Sequence, residues 1–176
     1  MLYTGKGDKG TTKTFGCNQS ISKSSAVTEA LGSLDEINSF LGIIKTKVEN
    51  VKYKKIVHEA QESLFIVQAE VAGFPKPLSK GKVGELEKII ADAEKELPKI
   101  KTFFISGGTE VAAFFDFART IARRAERRVV AVAEEGKVAV SDSTLAYLNR
   151  LSSLLYALAR LSNHEAGVKE DAPDYK

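Results

Sequence analysis

Two short segments carry side chains suited to chemistry on an anion. The first is Thr4-Gly5-Lys6-Gly7-Asp8-Lys9-Gly10-Thr11-Thr12-Lys13. Glycine lets the main chain close on an anion and turn its N–H groups inward. The threonine hydroxyls and Lys6, Lys9 and Lys13 add donors and positive charge, a set fit for a polyphosphate. The segment is not a Walker-type P-loop, because Thr11-Thr12 stand where Lys-Ser or Lys-Thr should follow and no apolar strand precedes it. The same composition also suits a solvated, flexible terminus, the commoner use of such a stretch.

The second segment is Arg119-Thr120-Ile121-Ala122-Arg123-Arg124-Ala125-Glu126-Arg127-Arg128. Arg119, Arg123 and Arg127 recur every fourth residue, so a helix stacks them on one side, where like charges repel by a few tenths of a kcal/mol per pair. Asp116 can relieve Arg119 and Glu126 can relieve Arg123, each from three residues away. A charge run is commonly a solvated face. Here Ala112, Ala113, Phe114, Phe117, Ile121 and Ala125 give the same helix an apolar side, so the basic row borders buried surface and its guanidinium groups call for fixed anionic partners. Solvated face and ligand- or chain-pairing row stay equally open on these residues alone.

Helices must position both segments. Val27, Leu31, Leu34, Ile37, Leu41, Ile44 and Val48 step by three and four, and so do Ile56, Ala60, Leu64, Val67 and Val71. Gly73, Pro75 and Pro77 end the second stripe. A charge-laced helix is predicted from about Lys82 to Leu97, stopped by Pro98. After Phe103-Phe104-Ile105 and the turn Ser106-Gly107-Gly108, Thr109 is the expected N-cap of a fourth helix running to about Glu135 and halted by Gly136. Ser141 to Ser143 supply a cap for a fifth. Its Leu148, Leu151, Leu154, Leu155, Leu158 and Leu161 resemble a cofactor or zipper ladder, but core packing is the ordinary use of leucine at that spacing. The predicted fold is an all-α, five-helix bundle. The expected organisation is an N-terminal loop over 1–25, a helical domain over 26–167 and a flexible polar tail over 168–176.

Apolar residues make up 43% of the 176, enough for one core. No apolar run approaches the roughly 20 residues a bilayer requires, and the first residues do not read as a secretory signal. With Cys17 as the one cysteine and two histidines, neither an internal disulfide nor a Cys/His zinc site is expected. A reducing, cytoplasmic setting follows. The net charge of +3 does not call for nucleic acid.

Taken together, the segments resemble the PduO-type cob(I)alamin adenosyltransferase family over Tyr3 to about Ala166. The resemblance rests on six marks in order: Tyr3-Thr4 with Gly7-Asp8-Lys9-Gly10; Ser22-Lys23; Gly32-Ser33-Leu34-Asp35-Glu36-Ile37-Asn38; Gly107-Gly108; Ala118-Arg119-Thr120 running into Arg123-Arg124-Ala125-Glu126-Arg127; and Tyr147-Leu148-Asn149-Arg150-Leu151-Ser152. It implies a homotrimer with active sites between subunits, acting on ATP, accompanied by Mg²⁺, and on a corrinoid such as cobalamin. Thr4, Gly5, Lys6, Gly7, Thr12 and Lys13 match the loop that wraps ATP, and Lys23 matches a lysine on the nucleotide. Arg123, Arg124, Glu126 and Arg127 match helix positions facing ATP, and Asn149 a polar contact from the last helix. Asp35 and Arg119 match a pair bridging adjacent subunits, and Phe103 an aromatic under the corrin ring. Without the resemblance, Phe103 reads as a core aromatic beside Phe104. No protein-held metal is implied. A corrinoid reductase and an adenosylcobalamin-dependent enzyme are the implied protein partners.

Gly5, Ser106, Asp116 and Ser153 depart from the residues frequent in the family at these positions, namely a basic residue, proline, histidine and aspartate. Gly5 weakens one expected phosphate contact, which Lys6 or Lys9 can replace. Two other functions are compatible with parts of the pattern: a non-enzymatic module contacting nucleic acid or an acidic partner through the arginine row, and an ATP-hydrolysing helical enzyme with no corrinoid. Neither a helix-turn-helix nor a base-stacking aromatic pattern supports the module.

Overall fold

Serine, threonine or asparagine caps every helix, and that capping sets the element boundaries. A computed structural model describes residues 2–15 and 20–175; the expectation for Cys17 lies outside them. Helix α1 spans Ala26–Lys47, α2 Val51–Val71, α3 Lys80–Glu96, α4 Glu110–Glu135 and α5 Asp142–Glu165. Ser25, Asn50, Ser79, Thr109 and Ser141 each accept a hydrogen bond from a first-turn amide, satisfying a donor that has no partner within the helix. Gly136 ends α4 at φ 67°, a conformation that costs glycine little. Thr109 and Gly136 thus act as the sequence predicts, and Ser141 is the cap within the expected serine cluster.

The apolar stripes meet in one core. Helix α4 packs against α1 and α5, while α3 covers α5 and α2 covers α1. Leu34, Ile37, Leu41 and Ile44 of α1 are fully buried, as are Leu64, Val67 and Val71 of α2. Val27 and Leu31 lie at the end of their stripe and are only partly buried. The leucine ladder of α5 is buried throughout, so it is packing and not a cofactor box. Tyr147 sits among these leucines, and burial pushes its phenol up to about 12.

Besides Asp116, two charged residues are buried in this bundle without being visible in the period of their helices. Glu70, near the end of α2, accepts hydrogen bonds from the amides of Ser141 at 2.6 Å and Leu78 at 3.4 Å, and from the Thr144 hydroxyl. It ties the start of α5 to the α2–α3 connection. Arg160 lies 5% exposed within the apolar run of α5. Its Nε donates to Glu170 at 2.9 and 3.2 Å. The segment from 168, expected as a free polar tail, therefore lies against α5, and the main-chain oxygen of Asp171 also accepts from Ile105 N–H at 2.8 Å.

Residues 1–25, expected as loop, contain a two-residue antiparallel ladder: β1, Thr11–Thr12, pairs with β2, Ile21–Ser22, in the register Thr11 to Ser22 and Thr12 to Ile21. A ladder this short has no alternation for a sequence pattern to reveal.

Candidate functional site

The N-terminal segment folds on itself ahead of α1. Gly5 and Gly10 take φ of 68° and 78°. Asp8 N–H donates to the Gly5 carbonyl at 3.3 Å, and Gly10 N–H to that of Gly7 at 3.1 Å. Lys23 closes the turn from the far side, its N–H donating to the Gly10 carbonyl at 2.9 Å. A Cβ at position 7 would lie 2.9 Å from the Lys23 ammonium nitrogen, so only a glycine leaves that ammonium its place. Lys23 and the Gly/Lys/Thr turn, separate in sequence, are thus one cluster. Thr4, Gly5, Lys6 and Lys13 are exposed on it, while Gly7 and Thr12 are half-buried. Phe15 anchors the turn by edge packing on Phe74 after α2, with ring centres 5.0 Å apart.

On α4 the arginines divide into two groups. Arg124 pairs with Glu36 of α1, and Arg128 lies 3.8 Å from Glu29, about two turns closer to the start of α1. Those two contacts clip α4 to α1. Arg119 lies 3.7 Å from Asp116, as the spacing predicts. Among the described residues Arg123 and Arg127 have no carboxylate in salt-bridge range, and Arg127 donates only to the Arg123 carbonyl, at 3.1 Å. Glu126, expected to relieve Arg123, instead accepts from Asn149 of α5 at 2.9 Å. Asn149 is held on its other side by Arg150 at 2.6 Å, which in turn binds Glu87 of α3. A carboxylate beside a neighbouring helix finds a fixed amide donor there, and that competes with a mobile arginine on its own helix.

The α3–α4 loop and the facing sides of α4 and α5 enclose a cleft of about 400 Å³. Ile100, Phe103 and Phe104 come from the loop, Arg119 and Arg123 from α4, and Tyr156 from α5. Phe103 is 78% exposed, which excludes the core-aromatic alternative. Asp116 accepts from Gly107 N–H at 3.1 Å and so fixes the loop's end to α4. Asn163 completes that anchor, accepting from Thr109 N–H at 2.9 Å and donating to the Gly107 carbonyl at 2.8 Å. Gly108 lies so close that a Cβ there would fall 2.3 Å from the Asn163 oxygen. Ser106 and Ser153, two of the departures from the family pattern, also line the cleft.

Two charged side chains predicted for the site are left without full partners among the described residues. Arg119 lies with its guanidinium carbon 5.9 Å from the Tyr156 ring centre, yet its Nε is buried with no hydrogen-bond acceptor. Asp35 is exposed on α1 and forms no salt bridge among the described residues. The sequence therefore names the turn, the arginine row and Phe103, and the fold brings Arg119, Arg123 and Phe103 to a common cleft. Tyr156 was missed because it falls within the leucine ladder, where periodicity reads it as packing, and Asn163 because it lies just past the ladder at the end of α5, where no local pattern marks its partners Gly107 and Thr109. Among the described residues no group of three His, Cys, Asp or Glu side chains can hold a metal ion.

The family Cobalamin adenosyltransferase matches residues 2–162. The corrinoid adenosyltransferase PduO of Citrobacter freundii is 38% identical over 172 residues, 94% of this chain and 50% of that protein. The chain thus spans about half the length of that relative. The corrinoid adenosyltransferase of Bacillus subtilis is 35% identical over 95% of this chain and 89% of its own. Among solved structures, a variant PduO-type ATP:corrinoid adenosyltransferase from Lactobacillus reuteri, complexed with cobalamin and ATP, superposes with a TM-score of 0.86 at 28% identity, covering 99% of this chain and 97% of that one. With five helices in this arrangement and a family match over nearly its whole length, the chain belongs to the cobalamin adenosyltransferase family.

Proposed function

We propose that the chain transfers the 5′-deoxyadenosyl group of ATP to the cobalt of a reduced corrinoid such as cob(I)alamin, releasing triphosphate and forming adenosylcobalamin. The observation that carries this reading is the cleft itself, in which unpaired guanidinium charge stands beside exposed ring surface. That combination suits a broad, largely apolar macrocycle meeting a polyanionic chain. An ATP hydrolase needs the charge but has no use for the aromatic wall.

Cobalt(I) is a strong nucleophile. Its electron pair forms the Co–C5′ bond as the C5′–O bond breaks, and triphosphate leaves with the displaced pair. No protein base is required, so the chain contributes orientation and anion stabilisation. Thr4, Gly5, Lys6, Gly7, Thr12, Lys13 and Lys23 wrap the phosphates in this reading, and Arg123 and Arg127 hold the nucleotide and neutralise the leaving group. Arg124 takes part only by sharing itself with Glu36, and Glu126 with Asn149 forms a braced polar wall. Mg²⁺ arrives on the phosphates as part of the substrate. Phe103 excludes a ligand from the lower axial face of Co(II), which eases its reduction.

The buried, unsatisfied Nε of Arg119 and the unpaired Asp35 support a homotrimer in which these two residues meet across the subunit boundary. Among the described residues no helix is long and apolar enough to cross a membrane. We place the enzyme in the cytoplasm, with an electron-donating reductase and an adenosylcobalamin-dependent enzyme as its protein partners. Anaerobic mixing of protein, MgATP and chemically reduced cobalamin tests the reading through the corrinoid spectrum. Formation of adenosylcobalamin with one triphosphate per turnover is expected. Phosphate or diphosphate release without a spectral change would replace it with a hydrolase, and salt-sensitive nucleic-acid binding without turnover would replace it with a binding module.

A further inference from the structure

Resting on the corrinoid reading above, we propose that Arg160 and Glu170 are positioning residues, a clasp that uses the end of the chain to hold the Phe103 loop at the cleft. The loop gains little from the core, since Ile100, Phe103 and Ile105 are all exposed. Its fixed points ahead of Ser106 are made instead with α5 and the segment beyond it. Arg160 donates through a terminal nitrogen to the Pro98 carbonyl at 3.2 Å, while its Nε holds both oxygens of Glu170. The same guanidinium lies 5.0 Å from the centre of the Phe104 ring. One residue further along, Asp171 accepts from the Ile105 amide. Phe103 therefore lies between the Pro98 carbonyl, held by the guanidinium, and two fixed residues that follow it, Phe104 resting on the guanidinium and Ile105 hydrogen-bonded to Asp171.

The Arg160 and Glu170 side chains are only 5% and 16% exposed. A pair this desolvated is strongly directional, and removing one partner leaves the other buried without its counter-charge. With Gln at position 170, the guanidinium loses its counter-charge and one of the two acceptor oxygens that aim its plane at Phe104 and Pro98. The loop then relaxes without disturbing the N-terminal turn or α4, where the nucleotide contacts are proposed. Arg160 belongs to the core of α5, so Glu170 is the safer site for substitution.

Hydrogen exchange and kinetics on Glu170→Gln, Glu170→Asp and a chain ending at Gly167 test the clasp. Faster exchange over residues 99–106, with the five helices protected as in the parent, is the expected result. The KM for corrinoid should rise about tenfold or more, as small displacements of positioning groups do, while the KM for ATP stays unchanged. Four-coordinate Co(II) should lose spectral intensity in Glu170→Gln and recover in part in Glu170→Asp. A merely structural pair would lower the melting temperature and leave the corrinoid KM and the Co(II) spectrum of the folded protein alone. Loop exchange or corrinoid KM identical to the parent in Glu170→Gln and in the shortened chain overturns the clasp. Failure of the functional reading looks different, because the parent protein itself would then produce no adenosylcobalamin.

Discussion

Phe103 exposes 78% of its surface, and that one number changes what its removal should do. A buried phenylalanine costs about 3–5 kcal/mol when cut to alanine, whereas an exposed one should cost within about 0.5 kcal/mol. Phe103→Ala should therefore fold as the parent does. It should lose most of the reaction begun from Co(II) with a mild reductant and far less of that begun from preformed Co(I). Stopped-flow spectra from both starting states decide this, and equal loss from both would reduce Phe103 to a wall of the cleft. Arg123 and Arg127 make the second test at this scale. Alanine at either should raise the KM for ATP or abolish turnover with helix content unchanged. Lysine should rescue poorly, because it lacks the planar fork. Isothermal titration with MgATP checks both, and unchanged affinity would return the row to solvent. The residues themselves made the arginine row legible, since a four-residue repeat beside alanine and phenylalanine needs no tertiary information. Phe103 was different. Neighbouring aromatics in a sequence look alike whether they point into a core or a cleft, and only the fold separates Phe103 from the fully buried Phe115.

At the scale of elements, the N-terminal turn and the α2–α5 junction give contrasting outcomes. Gly7→Ala would place a methyl 2.9 Å from the Lys23 ammonium. The flexible end of that side chain can swing away, and the Thr11 carbonyl at 3.3 Å must give slightly, so the loss of stability should be small, while ATP affinity falls as Lys23 leaves the cluster. A thermal melt beside a nucleotide titration measures the two effects separately. Glu70→Ala should behave in the opposite way. It strands the buried donors of Ser141, Leu78 and Thr144, at about 1–3 kcal/mol for each donor that water cannot reach. Chemical denaturation should show a large loss, with the corrinoid and ATP KM values of the remaining folded protein unchanged. Helices were legible because caps and stripes are local. Thr109, Gly136 and the leucines of α5 announce themselves within a few residues. Glu70 and Arg160 do not, because each is matched by partners outside its own helix, and a lone charge in an apolar stripe is the one hint of such an acceptor or donor.

At the scale of the whole molecule, α1 and α4 carry uncovered apolar surface. Phe117 is 57% and Ile43 48% exposed, and Phe117 packs edge-on against Phe40 at 5.1 Å, leaving apolar surface that neither helix covers. Asp35→Ala and Arg119→Ala should each impair activity or trimer formation, and a double-mutant cycle should show coupling. Sedimentation of a fully active monomer would refute the intersubunit site. No single-chain pattern could reveal the proposed boundary, whose partners would lie in another copy. A last consequence follows from the junction where the cleft loop meets the final helix. The carboxamide of Asn163 fills the volume that any side chain at position 108 would need, at 2.3 Å from its Cβ. It also serves the Gly107 carbonyl and the Thr109 amide. Neither position can drift alone. A larger residue at 108 demands a smaller one at 163, which strands two main-chain groups, and a smaller residue at 163 strands them immediately. Random mutagenesis followed by selection should find this pair close to immovable, and the path of the loop into α4 is frozen into any descendant that keeps the fold.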